Sequence, residues 1–241
     1  MTNTLFTGKV YHRFSELPST NDWATELLTK SKPPEGTAVR ADTQTAGRGQ
    51  FGSRWESAPG ENLLLSIILY PDWLPLKDQF YLSMAVALAL HDTVDYPAAR
   101  VKWPNDLYLG NKKAGGILIQ NAISGAFLQS SVVGIGLNVN QLEFDPALPN
   151  PTSLAAASGH AYDLEVIMQQ LFTCLEQRYL QLKAGRLSEI KQAYENVLFR
   201  KNERSGFVKT AGDIPFEGII QGVADSGHLK VEVDGGVVVS F

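Results

Sequence analysis

Residues 99–121 read ARVKWPNDLYLGNKKAGGILIQN. ARVKW at 99–103 is a strand that Pro104 interrupts, because proline cannot donate to a ladder and pushes Trp103 toward an extended conformation. DLYL at 106–109, the turn GN at 110–111 and an apolar run at 113–121 then form a hairpin. Asn105 and Asp106 offer polar groups beside this sheet, although Asn and Asp also serve turns routinely. Lys113 starts the otherwise apolar strand, and the common fate of such a lysine is solvation at a strand end. Gly115 and Gly116, inside the strand, predict close approach by a ligand or a bulge.

Working outward, AFLQSSVVGIGLNVN after the turn at 124–125 is a further strand, and DPALPNP at 145–151 is a loop. NLLLSIILY at 62–70 is too apolar to alternate, so it reads as a strand buried on both faces. FYLSMAVALALHDTV at 80–94 has little polar surface and reads as a buried helix. VYHRF at 10–14 and TAVRAD at 37–42 are strands. Between them Ser19 or Thr20 caps a helix running to about Lys30, with Asp22 at its positive end and PPEG at 33–36 after it. The stretch 163–182 puts Leu164, Ile167, Met168, Leu171, Leu175 and Leu182 on one helical face, and another helix spans 187–199. Cys174 falls on that face and reads as a buried structural thiol.

After Arg200 the composition changes to short strands separated by GD, DSG and DGG. The expected class is α+β: a mixed β-sheet with helices over 1–200, then a small all-β, barrel-like appendage over 201–241 that leans on it.

Composition narrows the function. The chain has 241 residues, 44% hydrophobic and 19% charged, with net charge −4 and a sequence pI near 5.6. A global basic field for nucleic acid is absent. One cysteine excludes an internal disulfide and argues against a cysteine-built metal site; no metal ligand set is assigned. No run of 18 apolar residues and no secretory pattern is present, so the cytoplasm is the expected location, away from membranes.

GRGQFGSRW at 47–55 is rich in glycine and arginine. Glycines let backbone approach a ligand, free N–H groups make an anion-binding concavity, and arginine matches phosphate or carboxylate. Trp55 can cover an apolar part of such a ligand. The opposing reading is a wide turn with solvated arginines, and the loop alone leaves the two even. G-x-G-x-x-G fits Gly47, Gly49 and Gly52, but no helix follows as a dinucleotide site requires; the Walker pattern does not occur.

Together, AGRGQFGSRW, KWPND and the K-x-x-G-I-L of Lys113–Leu118 resemble the biotin protein ligases. STN at 19–21, Gln44 and GIGLNVN at 134–140 fit the same pattern in the same order. The resemblance spans about residues 10–200, with the β appendage in its expected place. It implies a catalytic domain like that of class II aminoacyl-tRNA synthetases and biotin ligases, with an SH3-like appendage. The implied activity joins biotin to ATP, giving biotinyl-5′-AMP and pyrophosphate, and then transfers biotin to a lysine of a biotin carboxyl carrier protein. Mg²⁺ on the phosphates is implied as well.

By the same resemblance Ser19, Thr20 and Asn21 lie at the biotin head and Gln44 bonds the ureido ring. Arg48, Gly49 and Gln50 form a loop that closes over biotin and its adenylate on binding. Lys113 sits near the biotin carboxylate and the α-phosphate, with Gly115 and Gly116 giving close approach to biotin. Trp55, Asn105 and Asn138 match nucleotide positions, joined there by Arg48 and Lys113. Asp106 matches an acidic position near the reaction centre, where it orients the acceptor lysine or Lys113, or helps hold metal. The implied catalytic set is Lys113, Arg48 and Asp106. His12, His91, His160 and His228 lie outside the motifs, and the first step needs no base because the biotin carboxylate is already ionised.

Gln50 and Ser53 stand where many relatives have arginine, so the adenylate is expected to be held less tightly here. Only 18 residues precede Ser19, too few for the DNA-binding domain of the repressor-type relatives, so a ligase-only form is expected. A homodimer through a sheet edge is expected by analogy. The competing readings are a lipoate–protein ligase, a non-catalytic biotin- or nucleotide-binding module, and a single-strand nucleic-acid binder using the basic and aromatic residues of the two motifs.

Overall fold

The computed structural model describes residues 3–209 and 214–241. Its first part is built on a seven-stranded mixed sheet. The chain runs β1 (Tyr11–Leu17), α1 (Thr20–Lys30), β2 (Ala38–Gln44), β3 (Leu63–Leu69), α2 (Phe80–Thr93), β4 (Ala99–Lys102), β5 (Asp106–Leu109), β6 (Lys112–Ser124) and β7 (Phe127–Leu137). It continues through α3 (Leu154–Ser158), α4 (Leu164–Lys183) and α5 (Leu187–Asn196). The sheet order is β1-β2-β3-β7-β6-β5-β4, with β1 and β2 parallel and the other pairs antiparallel.

Burial explains this layering. β3 is buried at all seven positions, as a central strand covered on both faces must be. On one face α1 closes a small cluster of Ala24, Val39, Ile68 and Val132. On the other, α2 buries ten of its fourteen residues between the sheet and helices α4 and α5. A helix apolar all round needs such a place. Ser19 caps α1, its Oγ accepting from the Asp22 N–H at 3.3 Å, so this serine reading holds and Thr20 becomes the first helical residue.

Several expectations are refined. β6 runs on to Ser124 rather than stopping near 121. The short helix α3 was not foreseen; Ser153 caps it and Gly159 ends it in a left-handed conformation. The helix expected over 187–199 ends at Asn196. The chain then lies along β4, with Val101 N–H donating to Val197 O and Phe199 N–H to Val101 O. Satisfying that sheet edge competes with continuing the helix.

The second part is a four-stranded antiparallel sheet of order β11-β10-β9-β8. It comprises β8 (Arg204–Lys209), β9 (Ile214–Val223), β10 (Leu229–Val233) and β11 (Val237–Ser240). A register shift at Lys230/Val231 supplies the bend a small barrel needs. The expected GD turn at 212–213 lies outside the described residues. This sheet packs on the first through the loop 224–228. Trp103 Nε1 donates to Gly227 O at 2.8 Å, and Asp225 meets Lys191 at 2.6 Å and the Tyr81 hydroxyl at 3.0 Å. Cys174 is half-buried against the core, and burial pushes its thiol up, as expected of an inert structural group.

Candidate active site

The face of the sheet that carries α1 holds a cavity of about 340 Å³. Its floor is polar. Gln44, at the end of β2, accepts from the Thr20 backbone N–H at 2.7 Å and from the Thr20 hydroxyl at 3.1 Å. Ser66 Oγ on β3 lies 2.8 Å from Thr20 Oγ1 and 2.6 Å from Asn21 Oδ1, while Asn21 Nδ2 donates to Leu118 O and Gln120 Oε1, both at 3.2 Å. Thr20 and Asn21 are almost fully buried, so their orientation is set by this network rather than by solvent.

Glycines make the room. Gly116 on β6 stands directly opposite Gly136 on β7. A side chain at either would strike the Trp55 indole, which lies across this pair. Two residues along β7, a side chain at Gly134 would strike Asn21. A cross-strand glycine pair is therefore a trough cut into the sheet for one aromatic ring.

The loop 47–55 forms the rim as a miniature hairpin. Arg48 and Arg54 bridge, Gly49 N–H donates to Ser53 O at 2.7 Å and Trp55 N–H to Gly47 O at 3.0 Å. A short 3-10 turn over Gln50–Gly52 closes it, with Gly52 at φ +78° and Ser53 Oγ donating to Gln50 O at 2.8 Å. No helix starts here, which agrees with rejecting the dinucleotide motif.

Four cationic side chains line the cavity, Arg48, Arg54, Lys102 and Lys113, and two of them are paired with carboxylates. Lys113 Nζ is 2.7 Å from Asp106 Oδ1 and 5.6 Å from the Trp55 ring centroid. Arg48 Nη2 is 3.1 Å from Asp22 Oδ2. Asn105 stiffens the wall: its carbonyl accepts from Ile117 N–H at 2.9 Å and its Nδ2 donates to Ile117 O at 2.7 Å. The Trp103–Pro104 peptide just before it is cis.

Ser19, Thr20, Asn21, Gln44, Arg48, Gly49, Gln50, Trp55, Asn105, Asp106, Lys113 and Gly116 all line this one cavity. Two residues do not. Gly115 points the other way, where a side chain would meet Leu107 and Leu90, so it serves packing across a bulge in the β5–β6 pairing. Successive strand residues face opposite sides, and only one of two adjacent glycines can face the cavity. Asn138 lies beyond the cavity wall, its Nδ2 donating to Thr152 O at 2.9 Å and its Oδ1 buried with no hydrogen-bond partner among the described residues. Sequence reasoning missed the site roles of Ser66, Gly134, Gly136 and Asp22. The glycine pair of GIG at 134–136, inside an apolar strand, carried a signal; Ser66 and Asp22 carried none.

A concave, polar-floored cavity with four cationic side chains and an indole at its wall is chemically suited to a small molecule that is part apolar and part anionic. The sequence profile of the Biotin/lipoate A/B protein ligase family matches residues 14–138, more than half of the chain, and the chain belongs to that family. It is 33% identical over 234 residues to the bifunctional ligase/repressor BirA of Bacillus subtilis, covering 95% of this chain and 70% of that protein. It is 32% identical over 223 residues to the biotin–[acetyl-CoA-carboxylase] ligase of Paracoccus denitrificans, covering 88% and 91%. The fold matches the biotin protein ligase of Aquifex aeolicus solved with biotin and ATP, at TM-score 0.80 and 25% identity over 97% of this chain and 95% of that one.

Proposed function

We propose that this protein is a biotin–protein ligase, which activates biotin with ATP and transfers it to a lysine of a biotin carboxyl carrier protein. The observation that carries the reading is the convergence of Arg48 and Lys113 on one cavity with the Thr20–Asn21–Gln44 floor.

The floor takes the biotin head. Its amide and hydroxyl groups match a ureido ring that both donates and accepts. The valeryl chain then runs over Trp55 toward Lys113. In the first step a biotin carboxylate oxygen attacks the α-phosphorus of ATP, an acyl C–O–P link forms, and the α–β P–O bond breaks to release pyrophosphate. Both partners are anions. Arg48 and Lys113 offset their repulsion and stabilise the charge that builds in the transition state. Magnesium is read as arriving with the nucleotide. Among the described residues no three His, Cys, Asp or Glu side chains cluster, and magnesium in nucleotide sites is commonly held by phosphates and one or two carboxylates. Asp106, beside Lys113, is the carboxylate placed to share in that.

In the second step the acceptor amine attacks the acyl carbon, an amide forms and AMP leaves. The amine must lose a proton, and Asp106, a carboxylate that lines the cavity beside Lys113, is read as receiving or orienting it. Asn105 and Trp55 serve the nucleotide side; Asn138 joins them only if nucleotide binding draws the Lys113 end of the cavity toward it. The acceptor docks at the outer edge of β6. Ile117 bonds outward to Asn105, so by the two-residue period Ile119 and Asn121 also turn their backbone groups away from β7. The same edge suits a second copy of the chain. No helix of the described residues is long and apolar enough to cross a membrane.

ATP–pyrophosphate exchange with biotin, with lipoate and with neither tests this. Biotin-dependent exchange is expected, and Lys113→Ala should lower it by about a hundredfold or more, the usual cost of a charge-stabilising donor. Asp106→Asn should slow transfer more than exchange; equal loss in both would remove its second-step role. Exchange with lipoate alone would refute the biotin assignment.

A further inference from the structure

Two of the four cations that line the cavity are parked alike. Lys113 rests on Asp106, and Arg48 rests on Asp22. Asp106 belongs to the wall beside the reacting groups. Asp22 comes from elsewhere: it is the acidic residue of the first turn of α1, directly after Thr20 and Asn21 of the floor. Among the described residues its carboxylate has no ion-pair partner besides Arg48. Arg48 in turn begins the rim hairpin through its bridge to Arg54, and Trp55 follows in the same ladder. Tying Arg48 to α1 therefore ties the hairpin to the floor.

We infer that Asp22 is a positioning residue, the counter-ion that holds Arg48 and its loop at the rim of the cavity and competes for it with the phosphate of a bound adenylate. The ligand half of this inference rests on the biotinyl-adenylate reading; the loop-anchoring half does not. Exposure makes the exchange feasible. The Arg48 and Asp22 side chains are 56% and 37% exposed, so the pair is weak and breaks without stranding a buried charge. A ligand anion in the cavity and the Asp22 carboxylate compete for one guanidinium. Asp22 thus shortens adenylate retention while it orders the free loop.

Asp22→Asn, Asp22→Glu, Arg48→Ala and the Asp22→Asn/Arg48→Ala double variant separate these effects. Adenylate lifetime is read by chasing labelled biotinyl-5′-AMP from each purified protein. Asp22→Asn should lengthen it about three- to fivefold, the scale of an exposed ion pair. The change should vanish in the Arg48→Ala background, and Asp22→Glu should restore the parent value. An unchanged or shortened lifetime, or the same change in both backgrounds, overturns the inference. In parallel, limited trypsin digestion of the ligand-free protein reads cleavage at Arg48–Gly49. Trypsin must seize the Arg48 side chain, so Asp22→Asn should accelerate this cut by a similar factor, and an unaltered rate overturns loop anchoring. If the parent protein forms no adenylate at all, the proposed function fails, while the trypsin arm still decides the role of Asp22.

Discussion

At the residue scale, Gly134 shows how little tolerance the cavity floor has. Its missing side chain leaves the space that Asn21 fills, and Asn21 is tied to Ser66, Leu118 O and Gln120. Gly134→Ala forces Asn21 out of this network, since the neighbouring strands cannot part. We expect a stability loss of about 1–3 kcal/mol from overpacking. Biotin affinity should fall by at least about tenfold, because a buried polar network is costly when only partly satisfied. Isothermal titration with biotin, paired with urea unfolding, checks both. A variant that keeps parental affinity would show that Asn21 does not orient the ligand. The tyrosines of the core illustrate a different use of burial: Tyr81, buried beside Asp225, has its hydroxyl pushed up to about 12, so it stays a neutral donor at any working pH.

At the element scale, α4 holds the amino-terminal segment with one side chain. Glu176 is buried and accepts backbone N–H groups from Leu5, Phe6 and Thr7 at 2.5, 2.8 and 3.0 Å. Burial alone raises its pKa, but these donors outweigh it and set the group below its ordinary 4.5. A depressed folded pKa means that the carboxylate stabilises the fold above the unfolded value, and that this stability is lost as pH falls through the lower folded value. Glu176→Gln should therefore cost about 2 kcal/mol near neutrality, as expected for hydrogen bonds to a charged acceptor. It should also flatten the loss of stability below about pH 4.5 that the parent shows. Urea midpoints at pH 7 and pH 4 measure this, and parallel losses in parent and variant would contradict it.

At the scale of the whole molecule, the two sheets are coupled through Trp103. Its indole packs on the core beside the cavity, and its N–H reaches Gly227 of the second part. Trp103→Phe keeps most of the packing and removes that bond, worth about 1 kcal/mol. The amides of Leu229–Val233 should then exchange with solvent about fivefold faster, while those of β3 hold their rate. Equal acceleration in both would mean that the parts open as one unit. We propose that residues 1–200 and 201–241 are two domains, and unequal acceleration in this experiment is the outcome expected of that division.

Much of this protein was legible in its sequence. β3 and α2 declared themselves because each is largely buried on every side, and burial writes a run dominated by apolar residues without helical or strand alternation. The cap at Ser19 and most hairpin turns are local chemistry, decided within a few residues of chain. The family motifs brought most of the cavity lining into view, since contact with a shared ligand dictates residue type at each point of approach. The rest depends on distance in sequence. Which of Gly115 and Gly116 faces the cavity is set by register across β6 and β7, and a one-residue shift would reverse it. That Asn138 stays outside the wall, that Ser66 supports the floor and that Asp22 meets Arg48 are consequences of packing segments that are not neighbours in the chain. Such pairs carry no mark in either residue, because a carboxylate on a helix and an arginine in a loop become partners only when the sheet brings their elements to one side.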